Sequence, residues 1–218
     1  MAFRRELVVS LLATVVFAAS CAPVESDDSK AVQAAFHAYK ESILAQDGPA
    51  AVQFLPQSIF EFYEGVRQKA LHAPPEEVHG MALTTRISVM RVRMQIAPEQ
   101  LEGMTGKGLC ELAIDKGWIS RESVSELDVD VPHISGDRAT CAAVKTGKKM
   151  PITFQFLKEN GAWKVDLAAI MADADGALKI VREKQGMDEE TFFGVMMERV
   201  MGRPLTSQDY DPPRPEGK

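Results

Sequence analysis

The spacing of apolar residues changes twice along the chain. Up to about residue 124 they recur every three or four positions, as one face of a helix requires. Asp28 or Ser29 can cap a first helix whose apolar stripe is Val32, Phe36, Tyr39, Ile43 and Leu44. Gly48-Pro49 ends that helix and opens a short one over 49–55. Pro56 breaks the short helix, and Ser58 begins a third that runs to Leu71 on a face of Ile59, Phe62, Tyr63, Val66 and Ala70. His72-Ala73-Pro74-Pro75 is a break. The pattern then predicts one helix over about 76–96, with Leu83, Ile87, Met90 and Met94 in register. Its RISVMRVRMQI stretch also alternates, which makes a strand the alternative there. Arg86, Arg91 and Arg93 read as the solvated face of this helix, with contact to anionic lipid or another acidic partner as the alternative. Pro98 suits a first helical position, and Thr105 can cap a helix holding Leu109, Leu112 and Ala113.

From 125 the period becomes two. Leu127, Val129 and Val131 alternate with Asp128 and Asp130. DRATCAAVKTG, MPITFQFLK and AWKVDL follow. Ile152, Phe154 and Phe156 share one face, as do Trp163, Val165 and Leu167. The separators Ser135-Gly136-Asp137, Thr146-Gly147-Lys148 and Glu159-Asn160-Gly161 have the chemistry and length of hairpin turns. Four strands joined in this way make an antiparallel meander. After Leu167 the helical period returns on Ile170, Ala174, Leu178 and Val181. Asp188 then caps a helix over 188–201, and Gly202-Arg203-Pro204 stops it. Residues 202–218, with Pro212, Pro213 and Pro215, read as a flexible tail. The expected fold class is α+β, in a single domain over 30–201.

The extreme N-terminus follows neither period. Residues 1–20 carry Arg4 and Arg5, then an apolar run from Leu7 to Ala19, the layout of a signal peptide. Ala18-Ala19-Ser20 lead directly into Cys21, which resembles the lipobox of bacterial lipoproteins. The resemblance implies cleavage before Cys21 and acylation of its thiol and amine. Residues 21–29 would then be the lipidated cysteine and a polar tether. Several acyl chains hold far more firmly than one. Ala22, where Asp would favour retention, points to the outer membrane, facing the periplasm. Plain secretion and an uncleaved anchor are the alternatives.

Composition narrows the partners. The chain has 218 residues, with 25 Lys and Arg against 31 Asp and Glu, a net charge of −6. An acidic chain without a basic stripe is not expected to bind nucleic acid. Three cysteines are too few for a disulfide scaffold. Once Cys21 is set aside, an oxidising compartment could join Cys110 and Cys141 as a disulfide. The alternative is two buried thiols packed as small apolar groups.

Two segments carry a family resemblance. AVQAAFHAYKESILAQDGPAAVQFL is a long helix, a turn and a short helix. ISGDRATCAAVKTGKKMPITFQFLKENGAWKVDL is a strand opening on Gly-Asp, an aromatic strand, and a last strand after Asn-Gly. Together they resemble the nuclear-transport-factor-2-like superfamily, the cystatin-like α+β cone. The resemblance implies a meander curled around a pocket, and pairing of two copies through the open sheet face. The pocket walls would come from Phe36, Tyr39, Tyr63, Met90 and Met94 of the helices, and from Phe154, Phe156 and Trp163 of the sheet. Residues 56–124 are mainly helical where that family supplies an early strand or two.

Enzymes of the superfamily use Tyr, Asp or His inside the cone to move a proton beside a carbonyl. The candidates for that role are Tyr39, Tyr63, His37, His133 and Asp166. No set among them matches a known isomerase motif. Each buried phenol is expected to find a backbone acceptor. His72 and His79 flank a Pro-Pro loop with Glu76 and Glu77, without metal-ligand spacing. MADADG (171–176) puts Met171 and Arg182 where a calcium loop needs carboxylates, and GMTGKG (103–108) is too short for a phosphate loop. No metal or cofactor is expected. Met187, Met196, Met197 and Met201 surround Phe192 and Phe193 and read as core, with a pliable binding surface as the alternative.

These readings converge on a membrane-anchored envelope lipoprotein that binds a small apolar ligand or an envelope partner without catalysis. The alternative is a ketosteroid-isomerase- or dehydratase-like enzyme acting on a small carbonyl compound. A third reading is a structural subunit whose cone is filled by Phe154, Phe156 and Trp163.

Overall fold

A computed structural model describes residues 26–119, 121 and 124–213. The signal peptide over 1–20 and the acylation site Cys21 lie outside the described residues. Seven helices come first: α1 (Asp27–Ala45), α2 (Gly48–Ala51), α3 (Gln57–His72), α4 (Pro75–His79), α5 (Leu83–Gln95), α6 (Pro98–Glu102) and α7 (Gly106–Asp115). Five strands follow: β1 (Asp128–Val129), β2 (His133–Ser135), β3 (Arg138–Lys145), β4 (Lys148–Glu159) and β5 (Ala162–Val165). Helices α8 (Leu167–Lys184) and α9 (Glu189–Met201) and a 3-10 turn (Ser207–Tyr210) complete the described chain. No helix among the described residues is long and apolar enough to cross a membrane.

Local chemistry sets the helix boundaries. Ser26 caps α1, ahead of the expected Asp28 or Ser29, so the segment read as tether is helical from Asp27. Asp47 accepts from the Ala50 amide to start α2, Thr105 from Gly108 to start α7, and Asp188 from Thr191 to start α9. Gly106 stands where α7 meets α3. A Cβ at that position would lie 2.2 Å from the Phe60 carbonyl oxygen, so only glycine permits this approach.

The sheet is the expected antiparallel meander, curled into a half-barrel. Its order is β1-β3-β4-β5, and β2 also pairs with β3. β1 lies opposite Ala143 and Val144, and β2 opposite residues 138–140. They are two pieces of one edge strand, interrupted before Pro132, which cannot donate to the ladder. Ala139, Cys141 and Ala143 point inward from β3, as do Phe154 and Phe156 from β4 and Trp163 and Val165 from β5. α1 lies against β5, and Phe36 meets Phe154 with ring centroids 4.8 Å apart. The hollow of the sheet is therefore filled by the chain's own side chains. Ile152, read with Phe154 and Phe156, is 44% exposed because the β3–β4 hairpin runs out past the core.

Three expectations are corrected. The helix over 76–96 is two helices, α4 and α5, separated at Gly80–Ala82, and no strand forms there. The arginines of α5 are not a solvated face. Arg86 is fully buried. Arg93 turns back onto α3, where it donates to the carbonyls of Lys69, Ala70 and Ala73 and satisfies acceptors that a helix end leaves open. The segment read as a loose tail is ordered at its start, because Arg93 also holds the Tyr210 carbonyl and Arg203 pairs with Asp209.

Candidate functional site

A cavity of about 420 Å³ lies between α3, α5 and α8. α5 gives it Thr84, Ile87, Ser88, Arg91 and Val92, one side of the helix at three- and four-residue spacing. α8 closes the opposite side with Leu167, Ile170, Met171 and Ala174. Tyr63 of α3 and the pair Trp118-Ile119 complete the wall. Hollows of similar volume elsewhere on the protein are more open to solvent. The walls are mainly aliphatic and aromatic, with a few polar groups, the usual make-up of a small-molecule site.

Arg91 is the charged member of the wall. Its guanidinium lies 5.6 Å from the Trp118 ring centre and donates to the Trp118 carbonyl at 3.3 Å. Its Nε is buried without a hydrogen-bond partner, and among the described residues no carboxylate pairs with it. Burial pulls its pKa below the usual range, and Tyr63 works in the opposite direction. The Tyr63 phenol is pushed well above its ordinary value by burial, with Cys110 adding to the rise and Arg91 opposing it. Trp118 is itself held by a hydrogen bond from Nε1 to Gln95.

The structure disperses the expected catalytic candidates. Tyr39 is buried on α1, and its hydroxyl has no hydrogen-bond partner, so the expected backbone acceptor is missing. Its phenol is pushed far up, chiefly by burial. His37 is exposed at the edge of α1 and meets Asp128 at 2.8 Å. His133 is exposed on β2. Asp166 caps α8 by accepting from the Ala169 amide at 3.2 Å. Of the residues expected to line a pocket, Tyr63 lines this cavity, and Trp163 borders a more open hollow between α1 and β5. Phe36, Tyr39, Met90, Phe154, Phe156 and Trp163 are buried in the core, and Met94 is half-buried against it. Cys110 and Cys141 are free, buried thiols, both pushed up to about 12 by burial, and so poor nucleophiles.

The unpartnered hydroxyl of Tyr39 makes a direct prediction. A buried hydroxyl without a hydrogen bond carries a desolvation cost that Phe lacks. Tyr39→Phe is expected to hold or raise stability, by about 1 kcal/mol. Urea unfolding at neutral pH measures this. A loss of similar size would show that the hydroxyl is satisfied after all.

A second polar cluster sits under α9. The Arg86 guanidinium donates to both oxygens of Glu190, at 2.7 and 2.6 Å. It also reaches His79 Nδ1 at 2.8 Å and the Tyr210 hydroxyl at 3.1 Å. It lies 3.8 Å over the Phe193 ring, and His79 stacks on Tyr210 at 4.3 Å. Burial works against the arginine's charge, but the bonds to Glu190 and Tyr210 hold its pKa above the ordinary value. The cluster joins α4, α5, α9 and the last 3-10 turn, and it is a structural junction. Met197 and Phe193 are fully buried beside Phe192, in agreement with the core reading of the Met-rich helix.

No known protein family, curated protein or solved structure matches the chain.

Sequence reasoning placed the pocket inside the cone and missed Arg91, Trp118 and most of α8. One signal was available. Ile87 and Arg91 stand four apart, on a side of α5 that also carries Thr84 and Ser88. A helix face that mixes apolar and small polar residues with one arginine resembles a site wall more than a solvated face.

Proposed function

We propose that the chain is a lipid-anchored protein of the bacterial envelope, held through Cys21 at the outer membrane and facing the periplasm, whose α+β domain binds a small apolar ligand without chemistry. The apolar cavity beneath α8 is the observation that carries this reading. Its volume falls within the range of small-molecule sites, and its walls have many apolar surfaces and few polar groups. The dispersal of Tyr39, His37, His133 and Asp166 over core, edges and a helix cap supports binding over proton transfer. The curled sheet is compatible with a cone of the nuclear-transport-factor-2-like type, and membership of that superfamily is part of the proposal. In this protein the ligand would lie beside the cone, because the hollow of the sheet is occupied.

Mass spectrometry on protein extracted from its own membranes in mild detergent tests both halves. A denatured mass that starts at Cys21 and includes acyl chains supports the anchor, and an unacylated mass overturns it. A small molecule retained under native conditions and released on denaturation supports the binding module. Protein that emerges empty from every preparation, and takes up no apolar probe afterwards, overturns it.

A further inference from the structure

We infer that the cavity selects apolar molecules carrying one carboxylate, with Arg91 as the anion anchor and Tyr63 as a second donor. The inference rests on the ligand-binding reading and names the class of ligand. An arginine in a largely apolar wall is costly unless something compensates its charge. Within the described residues the compensation is partial: one carbonyl and one aromatic ring, both from Trp118. Its Nε remains buried and unpaired. Asp175, a carboxylate bound to a lining residue, is already held by the amide and hydroxyl of Thr84, each at 2.8 Å. The hydroxyl of Ser88 is turned onto the Thr84 carbonyl. Arg91 and Tyr63 are then the residues of the wall whose donors lack a complete set of partners among the described residues.

A guanidinium presents parallel N–H groups that match the two oxygens of a carboxylate. A phenol kept fully protonated by burial donates one further hydrogen bond to the same group. Ile87, Ile170 and Met171 offer an aliphatic body nothing polar to bond with, and Met171 can adapt to its shape. The complementary molecule therefore has a single anionic head and an unbranched or aromatic apolar tail.

Calorimetric titration of the folded protein with decanoate and with 1-decanol, at neutral pH, tests the inference. Wild-type protein is expected to bind decanoate at least tenfold more tightly than decanol. Arg91→Met keeps an apolar stem of similar length and removes the charge. It is expected to weaken decanoate at least tenfold and to leave decanol unchanged, and a cooperative unfolding transition shows that it is folded. Equal binding of the two probes to wild-type protein overturns the anion anchor and leaves the apolar site standing. Unaltered decanoate binding in a folded Arg91→Met protein does the same. Binding of neither probe overturns the ligand-binding reading as well. Should Arg91→Met fail to fold, the selectivity of wild-type protein alone decides.

Discussion

Glu190→Ala is expected to lower the free energy of unfolding by about 3 kcal/mol, the cost of leaving a buried charge without its partner. Arg86 is fully buried, whereas the Glu190 side chain is 55% exposed. Removal of the glutamate therefore strands the cation, while its own carboxylate had water on one side. That exposure places the effect at the low end of what broken buried pairs cost. Arg86→Met with Glu190→Leu is expected to recover most of the loss, because two apolar groups leave no charge behind. Urea unfolding of the single and double variants measures how much of the loss the apolar pair recovers. The pair also has a pH signature. The Glu190 carboxyl is held below the usual carboxylate range, first by the hydrogen bond from Arg86, against an opposing effect of burial. Its contribution is complete above the unfolded carboxylate value and is lost as pH falls through the lower folded value. Glu190→Ala should therefore flatten the acid limb of the stability curve. A change below about 0.5 kcal/mol, the size of an ordinary exposed pair, would show that the junction carries no strain from a buried cation.

The same arginine shows what the sequence made legible and what it did not. Capped helices and tight turns were readable because their causes are local. Thr105 and Asp188 bond amides three residues away. Thr146-Gly147 and Asn160-Gly161 adopt the left-handed conformations that hairpin turns require. The meander then follows from neighbours in sequence. Arg86 fails that test, because its partners Glu190 and Tyr210 lie 104 and 124 residues away. A clue was nevertheless present. Leu83, Arg86, Met90 and Arg93 fall on one stripe of α5, so two arginines stand at positions of the buried face. The default that charge faces water overrode the periodicity. The break at Gly80–Ala82 has the opposite cause: apolar spacing continues through a lone glycine, which a helix can tolerate but which here caps α4. The cone resemblance implies a pocket in the hollow of the sheet, whereas the cavity lies between α3, α5 and α8. Sequence alone does not say that Phe36, expected at the wall of that hollow, packs against Phe154 and fills it.

The proposed placement of the ligand beside the cone rather than in it is tested by two substitutions with opposite effects. Phe36 is fully buried and tilts against Phe154 at the centre of the sheet's hollow. Phe36→Ala is expected to cost about 3–5 kcal/mol, through lost burial and the cavity left behind. It lines no part of the space beneath α8. The fraction that remains folded should therefore bind decanoate with wild-type affinity. Ala174→Phe reverses the pattern. Ala174 is half-buried on α8 and faces the cavity, so a ring there would fill space that a ligand needs. Stability should change by less than about 1 kcal/mol, because the added ring enters an existing void and displaces no packed side chain. Decanoate binding should fall at least tenfold. Paired urea unfolding and calorimetry on the two variants give both readouts. If Phe36→Ala abolished binding in protein shown to be folded, and Ala174→Phe left it intact, the ligand would lie in the cone, and the cavity walled by Arg91 and Trp118 would have no part in holding it.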